Sequence, residues 1–173
     1  MNSMNKLSDI FFFVLVFILQ LVLSDYVHLG PYVFLCLIPF LLVNIPLSRS
    51  PHVALLIAFA LGLGVDVLSD GVPGLNAFAA VLAVAPRKFF YRLLVNADRQ
   101  DKTEVPLPRI VGLAKYLKYL GVLTAIYLIG YIGLDCISFR PAGFILLKFL
   151  ASWAASMVLA LLLTLPLQNR KLT

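Results

Sequence analysis

Charge is scarce in this chain. Charged side chains make up 13% of its 173 residues, and only eight side chains are acidic, whereas a soluble domain carries about 25% charge. A water-facing surface cannot be built from so little charge, which excludes soluble enzymes, secreted disulfide scaffolds and disordered regulators together. Cysteine is limited to Cys36 and Cys136, which match no metal spacing and form no C-x-x-C, so both read as packing residues. The two histidines, His28 and His52, are expected on opposite membrane faces and can share neither a metal nor a dyad. G-x-S-x-G, H-E-x-x-H and P-loop patterns are missing. Asp66 and Asp70 stand four apart, but two acids alone do not make a catalytic site. An enzyme is not expected, nor is a cofactor or a metal.

Apolar residues, by contrast, make up 62% of the chain, and the mean hydropathy is +1.00. That is the composition of an all-α integral membrane protein in one polytopic domain, residues 1–173. A membrane helix needs about 20 apolar residues. Six runs serve as candidate spans: 10–27, 32–47, 53–69, 72–91, 116–134 and 144–167. The second is interrupted by Pro39 and closed by Pro46. The fourth is short unless it continues past Arg87 and Lys88, whose charged ends would snorkel. The first resembles a signal peptide, but it lacks an A-x-A-like cleavage site and further spans follow, so it reads as a membrane helix.

The net charge of +6 is concentrated. Eight of the fourteen Lys/Arg fall between Arg87 and Lys118, between hydrophobic runs, which suits a cytoplasmic loop over residues 92–115 facing anionic lipid and argues against a nucleic-acid partner. With six spans and the N-terminus inside, inner segments hold twelve Lys/Arg and outer ones hold Arg140 and Lys148, so N-in/C-in is the expected orientation. Arg87, Lys88, Arg92, Arg109, Lys115 and Lys118 are the candidate contacts to lipid or cytoplasmic partners. Arg109–Lys118 reads either as a short interfacial helix or as the flank of the fifth span.

Ala54, Ala58, Gly62 and Asp66 recur at four-residue spacing, giving the third span a small-residue face that ends in a carboxylate. Such faces let helix backbones approach closely, so Asp66 is expected at a helix–helix seam. It reads either as a functional intramembrane acid or as a structural cap. The outer turn that follows contains Asp70, Pro73, Gly74 and Asn76, and Ser69 or Asp70 can cap the next helix. Tyr116, Tyr119, Tyr127 and Tyr131 share one face of the fifth span with Gly130, either as a ligand groove or as a packing stripe. Ala151/Ala155 and Ser152/Ser156, beside Trp153, are helix-packing positions.

Over Gly62–Ala77 the chain resembles the MreD family of rod shape-determining membrane proteins. In the family pattern a G-L-x-x-D stretch precedes a small turn and a Gly-Leu-His-Ala-like helix start. Gly62, Leu63, Asp66, Gly74, Leu75 and Ala77 match, while Asn76 stands where histidine is common, which removes a titratable group. The resemblance covers roughly Leu21–Arg87, including Gly30-Pro31-Tyr32, Pro39, Pro46 and Pro86-Arg87. It implies a non-enzymatic scaffold of the cell-elongation and peptidoglycan-synthesis machinery in the bacterial inner membrane. Its partners would be an MreC-like protein, the MreB filament, RodA and a class B penicillin-binding protein. The implied fold is similar to the substrate-binding subunits of energy-coupling-factor transporters, and such a small-molecule transporter subunit is the alternative function.

Overall fold

The structure is a computed structural model that describes residues 3–26, 32–70, 72–95, 105–135 and 141–169. Every regular element among them is helical: α1 (Ser3–Tyr26), α2 (Ile38–Val43), α3 (Pro51–Val65) with a π-helical turn (Asp66–Asp70), α4 (Leu75–Val84), α5 (Arg87–Val95), α6 (Pro108–Val111), α7 (Leu113–Asp135) and α8 (Ala142–Asn169). Among the described residues, three helical stretches are long and apolar enough to cross a membrane: Pro51–Ser69, Leu113–Asp135 and Ala142–Thr164. The chain is thus an all-helical protein of membrane character.

Two of the expected spans are not single helices. The run 32–47 is helical only over α2, six residues. Pro39 lies in the first turn of α2, where its missing N–H costs nothing, but extending the helix backward would drive its ring into the carbonyl of residue 35. The preceding residues stay unwound. A sixteen-residue helix would rise only about 24 Å, whereas an unwound stretch advances up to about 3.3 Å per residue, so the broken form reaches further than a helix would. The run 72–91 is likewise divided. Pro86 separates α4 from α5, because a proline ring ends the hydrogen-bond ladder of the helix before it. The Arg109–Lys118 segment divides: Leu113–Lys118 begins α7, as the flank reading expects, while Arg109–Val111 belong to a separate turn. A one-turn α6 ends at Gly112, whose φ of +91° only glycine holds easily, and α7 then begins at Leu113.

α4 is the centre of the bundle, packed on α3 at one side and α7 at the other. Its Ala77, Ala79, Ala80 and Ala83 are fully buried, and both neighbours approach through glycine. A Cβ on Gly62 of α3 would lie 2.5 Å from the Ala77 Cα, and one on Gly130 of α7 would lie 3.3 Å from the Ala79 Cα. α3 folds back on α4, with Asp66 against Gly74 and Gly62 against Ala77. α4 meets α7 through Asn76 with Tyr127 and Ala79 with Gly130, and Trp153 of α8 donates from Nε1 to the Gly121 carbonyl of α7 at 2.9 Å. Charge is sorted between the two ends of this packing. Arg49, Arg87, Lys88, Arg92, Lys115 and Lys118 gather at one end, with α6 and its Arg109. Asp25, Asp66 and Asp135 gather at the other, where Lys148 pairs with Asp135.

Candidate functional site

The expected small-residue seam is present. Ala54, Ala58 and Gly62 are buried along α3, and Asp66 follows with no exposed surface. The π-helical turn widens the last turn of this helix, a geometry often used to re-aim a side chain. The Asp66 carboxylate turns back onto the start of α4. Its Oδ1 accepts from the Asn76 backbone N–H at 2.8 Å and from Asn76 Nδ2 at 2.9 Å. Its Oδ2 accepts from the N–H groups of Gly74 at 2.9 Å and Ala77 at 3.0 Å. A carboxylate offers about four acceptor positions, and these four donors fill them.

Asp66 is therefore the N-cap acceptor of α4, placed by the preceding helix rather than by the cap residue itself. The cap residue is Gly74, with φ +103° and no side chain to contribute. The carboxylate satisfies three amides that begin a helix in an apolar setting and sits at the positive end of its dipole. Ser69, expected as a cap for that helix, does not hold this role. Ser69 Oγ reaches back to the Leu21 carbonyl of α1 at 3.4 Å, and the Asp70 side chain lies outside the described residues. Pro73 is exposed in the turn. Asn76, fully buried, also accepts from the Tyr127 hydroxyl of α7. Asp66, Asn76 and Tyr127 thus tie α3, α4 and α7 together at one level.

The tyrosine stripe of α7 is filled by neighbours. Tyr116, Tyr119, Tyr127 and Tyr131 are all buried. Tyr131 stacks on Phe34 at a centroid distance of 4.0 Å, and Tyr119 meets Tyr91 edge to face at 5.6 Å. The packing reading of this stripe is the one the structure adopts.

Arg87 departs from its expected place among lipid-facing cations. It is 2% exposed, and its guanidinium donates to the carbonyls of Ile45 at 3.2 Å and Pro46 at 3.0 Å. Its own carbonyl accepts from the Tyr119 hydroxyl at 3.3 Å. The cause is Pro46: the chain turns there after α2, leaving carbonyls without helical partners, and a rigid fork of donors satisfies two of them. Lys88 and Arg109 are half-buried, and Arg92, Lys115 and Lys118 are exposed. Lys115 Nζ lies 3.5 Å from the Val95 carbonyl, the last residue of α5, a favourable place for a cation.

One polar set was not legible as such. In the unwound stretch, the Phe34 N–H donates to Ser152 Oγ at 2.9 Å and the Cys36 N–H to Ser156 Oγ at 3.0 Å. The Leu37 N–H donates to Gln20 Oε1 of α1. Two residues of stretched backbone cover about the distance of four helical residues, so alternate amides fall opposite serines one turn apart. The signal was the serine pair itself, with Gln20 as the polar residue of the first run. Cys36 is buried and His52 is exposed at the start of α3, while His28 and Cys136 lie outside the described residues. Among the described residues no cluster of His, Cys, Asp or Glu could hold a metal.

Comparison of the chain with protein-family models, curated proteins and solved structures gives no match.

Proposed function

We propose that this chain is a non-enzymatic scaffold of the bacterial inner membrane, acting in cell elongation and peptidoglycan synthesis as the MreD-like motif implies. The observation that carries the reading is the Gly62–Asp66–Asn76 joint. The residues on which the resemblance rests fall together in one rigid seam, whose carboxylate is saturated by internal donors. A joint of this kind holds a shape for other proteins to recognise; it offers no free group for chemistry. In this reading the six apolar runs are six crossings, N-in/C-in, with the basic end facing the cytoplasm. The second crosses as an unwound stretch plus α2, and the fourth as the segment 72–86 built on α4, about 22 Å, with α5 completing it at the headgroup boundary. The lipid-facing surfaces of α1, α3 and α8 would meet an MreC-like protein, RodA and a class B penicillin-binding protein. The basic end would meet anionic lipid and the MreB filament.

The unwound stretch favours the alternative, a substrate-binding transporter subunit, since broken helices at membrane depth line substrate sites in many transporters. Its amides at Phe34, Cys36 and Leu37 are already taken by Ser152, Ser156 and Gln20, which supports the scaffold instead. Affinity purification of the tagged chain from its native membrane in mild detergent, with protein and small-molecule mass spectrometry, separates the two. Stoichiometric recovery of MreC-like and wall-synthesis proteins without a bound metabolite is the expected result. Recovery of ATPase subunits, or of a retained small molecule, would replace the scaffold by the transporter subunit.

A further inference from the structure

Seven of the nine residues of α5 fall on three faces, and Phe90 and Leu94, half-buried, lie on the remaining side against the core. Arg87, Tyr91 and Val95, at four-residue spacing, are buried, with Tyr91 against Tyr119 of α7. Phe89 and Leu93 point the opposite way and are 64% and 65% exposed. Lys88 and Arg92 lie between, also four apart, with no ion-pair partner among the described residues. From Pro73 to Leu134 the described residues include no carboxylate side chain. A helix of nine residues is about 14 Å long, less than half of the roughly 30 Å hydrocarbon core. In mid-bilayer, two cations with no counter-charge among the described residues would be costly. In water, two large apolar side chains would stand out for nothing. One environment suits both faces, the boundary where acyl chains meet headgroups.

We propose that α5 lies in that boundary and binds acidic phospholipid, with Lys88 and Arg92 on the headgroup phosphates and Phe89 and Leu93 among the upper acyl carbons. The element is built to hold this position before any lipid arrives. At its start, Arg87 is fixed to the Ile45 and Pro46 carbonyls. At its end, Lys115 meets the Val95 carbonyl. The proposal rests on the basic end facing a leaflet, and it is independent of the elongation role.

The test uses the full chain in detergent with phosphatidylglycerol and phosphatidylcholine of identical acyl chains, and bound lipid is counted by native mass spectrometry. Retention should favour phosphatidylglycerol by roughly fivefold per engaged cation, and the preference should collapse in about 0.5 M salt on the unaltered chain. The Lys88→Gln/Arg92→Gln pair should lower the preference several-fold and leave phosphatidylcholine retention as it was. Phe89→Ser/Leu93→Ser should lower retention of both lipids. Equal retention of the two lipids by the unaltered chain would overturn the proposal. So would a preference that survives Lys88→Gln/Arg92→Gln but is lost in Lys115→Gln/Lys118→Gln, because that would place the site on α7. Displacement of bound phosphatidylglycerol by inorganic phosphate at equal concentration would show a free-anion site and overturn it as well. None of these readouts involves a protein partner, so a failed scaffold hypothesis leaves the lipid result standing, and the reverse.

Discussion

Replacing Asp66 with alanine would leave the amides of Gly74, Asn76 and Ala77 without the oxygens that now receive them. Each buried polar group left unpaired costs about 1–3 kcal/mol, so Asp66→Ala is expected to destabilise the bundle by at least about 3 kcal/mol. Asp66→Asn should fall between, because it keeps one acceptor but points an amide donor at amide donors. Thermal unfolding in detergent orders the three proteins, and an Asp66→Ala variant as stable as the parent would remove the capping role. Gly62 makes a second residue-scale case. Its added Cβ would meet backbone, 2.5 Å from the Ala77 Cα, and backbone cannot rotate away. Gly62→Ala should therefore cost at least the roughly 1–3 kcal/mol of an overpacked core. Gly133→Ala on α7 meets nothing within 4 Å, so the same chemical change there should be neutral or raise stability by up to about 1 kcal/mol through helix propensity. A melting series of the two variants checks both signs. The seam itself was legible in the sequence, since four-residue spacing of small residues has one structural meaning in a helix. The sequence left open whether the carboxylate is a functional acid or caps the start of the next helix, and the four hydrogen bonds to Gly74, Asn76 and Ala77 show the cap.

At the scale of elements, the informative departures are the two broken runs. Hydropathy reads both as membrane segments and cannot see that Pro39 and Pro46 leave room for only six helical residues between the unwound stretch and the following turn. Nor can it see what satisfies an unwound backbone in an apolar setting. That task falls to α8 and α1 through Ser152, Ser156 and Gln20. Ser156→Ala removes the oxygen to which the Cys36 N–H donates at 3.0 Å and should cost about 1–3 kcal/mol. The local signature is faster hydrogen exchange at Cys36, with the amides of α3 and α4 little changed. Unchanged exchange at Cys36 would mean that the hydroxyl is not its partner. Arg87 shows the converse error. A basic residue beside an apolar run is usually a headgroup contact, yet here the carbonyls freed by the turn at Pro46 capture it, and Lys88 and Arg92 are left to face outward.

At the scale of the molecule, the packing of the helices gathers basic side chains at one end and acidic ones at the other. If the basic end is cytoplasmic, a fluorescent protein fused after residue 173 should be bright and an alkaline phosphatase fused there inactive. A labelling reagent that cannot cross the membrane should reach a cysteine placed at Pro73, in the exposed outer turn, from outside. An active C-terminal phosphatase would invert the orientation and move α5 to the outer leaflet. The sequence by itself determined the solvent of this protein, its helical class, the clustering of its cations and the seam that ends in Asp66. Each of these depends on composition or on spacing within one element. Tertiary structure chose the cap over the free acid for Asp66 and packing over a groove for the tyrosines, and it alone decided that Arg87 is internal and that serines of the last helix hold the backbone before α2. Each of those is a pairing between segments up to 120 residues apart, and no periodicity within one segment records which partner another will present.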